Sequence, residues 1–517
     1  MEGRKESKSK LTFWLVGLRN PTFLMSDLSS PVIETRTMKR YASPEKFTLA
    51  AIVVLATLLR FLYLGRESLW FDESISVAIA RLNLRGLWSV VSRSEANMAL
   101  YYALLHVWLR IGDSEFILRS LSALAGILTV PLIYALGKRM FDARTGLIAA
   151  ALLAANAFHI QYSQEARAYS LVVLLATLSS LFFVRALEHP SWGNWAGYAA
   201  ASILTVYAHF FGALVLAAQW ASVALLRRTE VPWKKLLASV STIVLCLLPL
   251  GFFALTRDTG QLAWVSPIHF RDIYDLFDAL AGGGRLLALA YFLPCAITAV
   301  LVVKAWRRHD ARSEAWRYAF LLSWLFVPVL IALAVSLHKP VFVDRFLIVC
   351  LPALVLLAAV GLSQLPQRWI LAGCLAVLLS LSLRRVPWYG AGAKKEDWRG
   401  ATAYVLSHAS QQDALVFFTS YGRLGFDYYS RHANGGCKVA FPATLDPAGS
   451  TRVDPQDSLL ASLPANYDQV WLLVRFNDLD PTLRQRDRTI ETTLAGEYSD
   501  EKEQDFHGVR VLEYSKH

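Results

Sequence analysis

Cysteine is scarce, with five residues in 517. Cys246, Cys295, Cys350 and Cys374 sit in apolar blocks and only Cys437 lies beyond them. The C-terminal part therefore has no internal disulfide, and no spacing resembles a zinc or redox site. Amphipathic patterning is nearly absent before residue 385, which excludes an ordinary soluble chain of this size. A basic stripe interleaved with aromatics is also missing, so the net charge of +12 does not indicate nucleic acid. Cytoplasmic Lys and Arg facing anionic lipid account for it more simply. The apolar run Leu11 to Leu18 has no Ala-x-Ala cleavage site downstream and makes a poor signal peptide. Met38 stands directly before Lys39 and Arg40 and is an alternative start.

Apolar residues are abundant. They make up 55% of the chain and arrive in blocks long enough to cross a hydrocarbon core of about 30 Å at about 1.5 Å rise per residue. The blocks are 47–64, 116–137, 145–161, 168–187, 195–209, 211–226, 236–255, 285–304, 318–337, 346–363 and 368–384. They predict a mainly α, polytopic membrane protein with about 11 transmembrane helices. Met98 to Ile111 is too short to span and reads as an interfacial or re-entrant helix.

Lys and Arg gather on one side if the spans alternate. Arg36, Lys39, Arg40 and Lys46 precede the first block, and Lys138, Arg139 and Arg144 follow the second. Arg227, Arg228, Lys234 and Lys235 follow the sixth, and Lys304, Arg307, Arg308 and Arg312 the eighth. The N-terminus is then cytoplasmic and the C-terminus extracytoplasmic, in a multi-pass protein of the cell (inner) membrane. The expected division is a cytoplasmic tail over 1–45, a transmembrane domain over 46–385 with a long first outer loop over 65–115, and a C-terminal extracytoplasmic domain over 386–517. Beyond Arg385 the composition is that of a soluble chain. Strand-like runs Ala414 to Thr419 and Gln469 to Val474, and a helical run Trp398 to Leu406, predict a small α/β domain.

Ionisable residues at the membrane surface are costly and point to chemistry. Three outer places carry them: Arg66 through Asp72 and Glu73; Gln164, Glu165, Arg167 and Tyr169; and His209 together with Arg345. All three fall at outer ends of spans, although the topology was derived from the opposite ends. A carboxylate pair, a third carboxylate, guanidinium groups and a His at one membrane face suit a reaction on a lipid-borne phosphate. Arg binds phosphate in a bidentate way, and an acid such as Asp72 takes a proton from a hydroxyl. Each signal also has a plain structural reading. Asp72 and Glu73 can be a solvated helix cap, and Arg60, Arg167, Arg285 and Arg345 can snorkel to headgroups. His209 can be a packing residue, and Tyr162 and Tyr169 belt residues.

These residues resemble bacterial members of glycosyltransferase family 39, in the GT-C superfamily with the protein O-mannosyltransferases and the aminoarabinose transferase that modifies lipid A. The resemblance covers roughly residues 65–365. Its carriers are Phe71-Asp72-Glu73, Tyr101-Tyr102 with the run to Trp108, Gly112 to Phe116 with Arg119, and Tyr162 to Tyr169. It implies an active site between the first outer loop and the membrane, with surface helices in that loop, where Leu84, Leu87 or Trp88, and Val91 have the needed spacing. It further implies Asp72 as base, Glu73 as its neighbour, and Glu165 as a second acid binding acceptor or a divalent metal. Arg167 and Arg345 would hold the donor phosphate, and Arg66, Tyr102, Gln164, Tyr169 and His209 would complete substrate binding. The implied reaction is inverting transfer of a hexosyl or pentosyl group from a polyprenyl-phosphate-linked sugar donor to a lipid, glycan or protein acceptor.

The implied catalytic residues all precede residue 365, so the C-terminal domain is expected to shape acceptor choice without carrying an essential residue. The alternatives are an oligosaccharyltransferase-like enzyme with a pyrophosphate donor and a non-catalytic lipid transporter or assembly factor. A transporter would show repeat symmetry and midplane helix breaks, neither of which is evident.

Overall fold

The structure is a computed structural model that describes residues 44–224, 226, 230–257, 262, 264–307, 312–391, 395–418, 420–431, 438–445, 455–475 and 481–516. The expected tail up to residue 43, Met38 within it, and Arg227, Arg228 and Arg308 lie outside the described residues, as does Cys437.

The chain opens with α1 (Pro44–Phe61), followed by α2 (Phe71–Ala80), α3 (Leu84–Arg93) and α4 (Ala99–Trp108). Then come α5 (Glu115–Met140), α6 (Ala143–Ala155), α7 (Ala157–Ser163), α8 (Tyr169–Glu188), α9 (Trp192–Ala208) and α10 (Gly212–Val223). The bundle continues through α11 (Trp233–Thr256), α12 (Phe270–Leu280), α13 (Arg285–Arg307), α14 (Arg312–Ser336), α15 (Leu351–Ser363) and α16 (Arg368–Ala391). A C-terminal α/β part follows, with α17 (Trp398–His408), β1 (Ala414–Phe418), α18 (Gly422–Ser430), β2 (Lys438–Phe441), α19 (Asp457–Asn466), β3 (Gln469–Arg475), α20 (Pro481–Glu497), β4 (Asp500–Phe506) and β5 (Val509–Ser515).

Each of the eleven expected apolar blocks is helical, but they differ in kind. Among the described residues 7 helices are long and apolar enough to cross a membrane, or up to 8 if the bent pair α6 and α7 is one span. The other blocks fall short for visible reasons: α1 carries Glu45, Lys46 and Arg60 within its 18 residues, α9 has 17 residues, and α10 has 12. Met98 to Ile111 becomes the 10-residue α4, consistent with a helix too short to span. In α3 the expected apolar stripe is only partly covered: Leu87 and Val91 are buried, whereas Leu84 and Trp88 beside them are exposed.

The bend between α6 and α7 is 60° and has a definite cause. Asn156 ends α6 and caps α7, its side chain accepting from the His159 amide at 2.9 Å. Arg60, fully buried rather than snorkelling, donates to the freed carbonyls of Ala154 (3.0 Å) and Leu153 (3.2 Å) and to His159 Nδ1 (2.7 Å). A cation at a helix C-terminus is favoured by the helix dipole, and here it supplies the donors that the broken helix lacks.

The C-terminal sheet has the strand order β2-β1-β3-β5-β4, parallel where β1 pairs with β2 and β3, and antiparallel where β5 pairs with β3 and β4. Strands β1 and β3 alternate between two cores, as period-2 side chains must. Val416, Phe418, Val470 and Leu472 pack with Leu460, Ile490 and Leu494 on one face. Leu415, Phe417, Trp471 and Leu473 pack with Trp398, Ala401 and Val405 on the other. The expected strands and helix at 414, 469 and 398 are thus present as β1, β3 and α17. Tyr429 Oη accepts from the Leu69 amide (2.8 Å) and from Ser68 Oγ (3.2 Å), and Tyr428 Oη donates to the Asp113 carbonyl (2.6 Å). Arg399 pairs with Glu115 at 2.7 Å and donates to the Arg66 carbonyl, and Arg431 pairs with Asp113 at 3.0 Å. The C-terminal part is thereby seated on the segment between α1 and α5.

Candidate active site

Asp72 and Glu73 occupy the first turn of α2, where carboxylates are favoured by the helix dipole. Neighbouring helical residues point about 100° apart, so the two carboxylates face different surroundings. Glu73 turns inward and is fully buried. Arg119 of α5 grips it with Nε to Oε1 at 2.8 Å and Nη2 to Oε2 at 2.7 Å, the Ala166 amide donates to Oε1 at 2.8 Å, and Lys395 approaches Oε2 at 3.2 Å. Arg119 also donates to the carbonyls of Leu64, Glu67 and Ser68, fixing the turn before α2. Burial alone would push the Glu73 carboxyl up. The charges of Arg119 and Lys395 and the bonds from Arg119 and Ala166 outweigh it and hold the group at about 2.

Asp72 turns to the open side, with 16% of its side chain exposed. Two guanidinium groups face its Oδ2, Arg345 at 3.7 Å and Arg167 at 4.0 Å. Both separations exceed a hydrogen bond, so the carboxylate sits in a cationic field without being tied up. Arg167 donates to the Asp72 carbonyl (3.3 Å) and to Ser76 Oγ (3.2 Å). Arg345 lies against Trp264, 4.7 Å from its ring centre, and beside Trp70 and Phe346. The Nε atoms of Arg167 and Arg345 are buried without a partner, which leaves donor capacity for an anion.

Glu165, in the turn between α7 and α8, is 4% exposed, with Lys395 Nζ 3.9 Å from Oε1 and Oε2 unpartnered. Burial pushes its carboxyl up to about 7, against the opposing pull of Lys395 and Arg345, with Glu73 and Asp72 adding to the rise. Tyr169 packs edge-on to Tyr162 and lies near His209, whose Nδ1 accepts from the Phe211 amide at 3.2 Å. That bond places the proton of a neutral imidazole on Nε2, which is buried without a partner.

The expected residues therefore divide. Asp72, Glu73, Glu165, Arg167 and Arg345 fall in one cluster of charged groups, with Tyr169 beside Arg167 and His209 against Tyr169. Tyr102 is one step removed, donating to Glu95 at 2.9 Å. Arg66 and Gln164 do not join. Arg66 is exposed and lies over the Tyr63 ring. Gln164 Nε2 is spent on the carbonyls of Leu59, Arg60 and Leu62, closing the end of α1. Lys395 was not foreseen. Its only signal is the Lys394-Lys395 pair after the last apolar block, which reads like membrane-flanking charge. Lys395 lies beyond Arg385, in the segment expected to carry no essential residue, yet its ammonium reaches Glu73 and Glu165.

A divalent metal does not fit these residues. Among the described residues no group of three His, Cys, Asp or Glu could hold one, and Asp72 and Glu165 each face a cationic side chain.

Residues 96–252 match the family model of dolichyl-phosphate-mannose-protein mannosyltransferase. No curated protein matches the chain by sequence. Its fold is similar to that of ArnT from Cupriavidus metallidurans in the apo state, with a TM-score of 0.62 at 14% identity over 90% of this chain and 98% of that one. The same ArnT bound to undecaprenyl phosphate gives 0.61 at 14% identity, over 90% and 97%. The oligosaccharyltransferase of Archaeoglobus fulgidus gives 0.51 at 12% identity, over 84% of this chain and 70% of that one. With its apolar helices, its small C-terminal sheet and this architecture, the chain is a polytopic membrane protein of the GT-C fold.

Proposed function

We propose that the chain is a membrane glycosyltransferase that moves a sugar from a polyprenyl-phosphate donor to a lipid, glycan or protein acceptor on the outer face of the cell membrane. One observation carries this reading: a partly exposed carboxylate, Asp72, faces the guanidinium groups of Arg345 and Arg167 at 3.7 and 4.0 Å. A proton acceptor and a bidentate anion site stand side by side, as single displacement at an anomeric carbon needs. The similar ArnT is a protein solved with undecaprenyl phosphate, the lipid carrier such a site would release.

Asp72 takes the proton of the acceptor hydroxyl as its oxygen bonds to the anomeric carbon. The bond from that carbon to the donor phosphate breaks on the opposite side, inverting the centre. The electron pair leaves with the polyprenyl phosphate, and Arg167 and Arg345 meet its charge. Glu73, saturated by Arg119 and Ala166, serves by fixing α2 rather than by moving protons.

The test is to incubate purified protein with a membrane lipid extract and follow each polyprenyl-linked sugar by mass spectrometry. Monophosphate and diphosphate donors are assayed side by side. Loss of a monophosphate-linked sugar with release of free polyprenyl phosphate is the expected result. Consumption of diphosphate donors only would favour the oligosaccharyltransferase reading, and no consumption would refute transfer.

The site lies at the outer end of α5 in this reading, with residues 1–45 cytoplasmic, 46–385 in the membrane and 386–517 outside. Arg66 and Arg144 are both exposed and flank the 26-residue α5, which extends about 39 Å. Single cysteines at the two positions, in a background without the natural five, report the sides. An impermeant maleimide on intact spheroplasts should label position 66 and spare position 144. The reverse pattern would invert the topology.

A further inference from the structure

Lys395 follows the last apolar helix and precedes α17, yet its ammonium enters the site, 3.2 Å from Glu73 Oε2 and 3.9 Å from Glu165 Oε1. The turn it reaches is short and carries Glu165, Ala166 and Arg167 in succession. Glu73 holds the middle of that turn through the Ala166 amide at 2.8 Å. Lys395 holds its first residue, and Arg167, its third, faces Asp72 at 4.0 Å. Without a cation between them, two buried carboxylates that share one lysine repel, and one of them protonates or moves away.

We propose that Lys395 is a positioning residue that makes the C-terminal segment part of the active site. By bridging Glu73 and Glu165 it sets the Glu165–Arg167 turn, and with it the guanidinium that faces Asp72. This rests on the reading of Asp72 as base and Arg167 as phosphate ligand. The site is then complete only while the C-terminal part is seated on the first outer loop through Arg399, Tyr428 and Tyr429.

The charged and titratable groups that face Glu165 are Lys395, Glu73, Arg345, Asp72, Arg119, Tyr101, Tyr162 and Tyr169. Lys395 is the strongest of those that favour the ionised form. Removing its charge therefore raises the pH at which Glu165 ionises, which a purely structural role would not do.

The experiment compares full-length K395M, K395R, E165Q and D72N with wild type, measuring kcat, donor KM and the pH profile of transfer. Wild type should show an acid limb near the pH at which Glu165 ionises, about 7. K395M should lose about 10²-fold in kcat, the scale of a small misplacement in a positioned site, with a smaller change in KM. Its acid limb should move to higher pH, K395R should recover most of the rate, and E165Q should abolish the limb. K395M with wild-type kcat and an unmoved limb overturns the proposal. If K395M does not insert, K395R and E165Q decide, since an inactive K395R or an unaltered limb in E165Q overturns it equally. D72N separates the two readings: an active D72N defeats the proposed function, whereas an inactive D72N beside a normal K395M defeats the role of Lys395 alone.

Discussion

Glu73 and Arg119 form a fork-to-fork pair, Nε to Oε1 at 2.8 Å and Nη2 to Oε2 at 2.7 Å, with both side chains out of reach of solvent. The pair joins α2 to α5 and ties up one of two adjacent carboxylates. Breaking a buried pair from one side leaves the other charge uncompensated, at a cost of about 3–5 kcal/mol. Glu73→Gln should therefore lower the thermal stability of the detergent-solubilised protein, an effect that differential scanning fluorimetry reads. The sign with pH follows from a folded-state carboxyl held at about 2, below its ordinary value. Its contribution is present above the ordinary carboxylate range and is lost as pH falls toward 2. The wild-type advantage over Glu73→Gln should narrow on acidification, and a gap that widened instead would contradict the assignment.

Arg345 stacks on Trp264 while facing Asp72, a use of the planar guanidinium that an ammonium cannot copy. Arg345→Lys keeps the charge and loses the stacking and the fork, worth about 1–2 kcal/mol, or roughly ten-fold in donor KM. Steady-state kinetics with extracted donor should show KM rising with kcat nearly kept. A fall in kcat at constant KM would place Arg345 elsewhere in the reaction.

How far the sequence reaches is visible residue by residue. Asp72, Glu165, Arg167 and Arg345 were legible because ionisable groups beside apolar blocks stand out against their surroundings. In the expected topology, chain order and alternating spans put them on one face. The roles of neighbours were not legible, because Glu73 and Asp72 differ only in helical direction, and direction depends on where Arg119 sits. Gln164 looked like a ligand and is a helix-end clamp, since its partners are carbonyls of a helix about a hundred residues earlier. Lys395 was hidden for the same reason. Its partners are more than 200 residues away, and the seating of the C-terminal part on the segment between α1 and α5 brings them together.

That seating alters what a truncation should do. Ending the chain after Arg385 removes Lys395, Arg399, Tyr428 and Tyr429, so the shortened protein should insert and yet fail to transfer sugar even to a simple acceptor. Mass-spectrometric detection of released polyprenyl phosphate checks this. Transfer by the truncated protein would return the C-terminal part to a role in acceptor choice alone.

The central claim is that Asp72 is the base, and Asp72→Asn tests it most directly. Asn keeps the size of Asp and much of its hydrogen bonding but does not accept a proton from a hydroxyl near neutral pH. The measurement is turnover of purified Asp72→Asn beside its equilibrium binding of the polyprenyl-phosphate donor. The expected result is a loss of at least about 10²-fold in turnover, the lower end for a removed general base, with donor binding nearly intact. Transfer at a rate close to wild type would contradict the account.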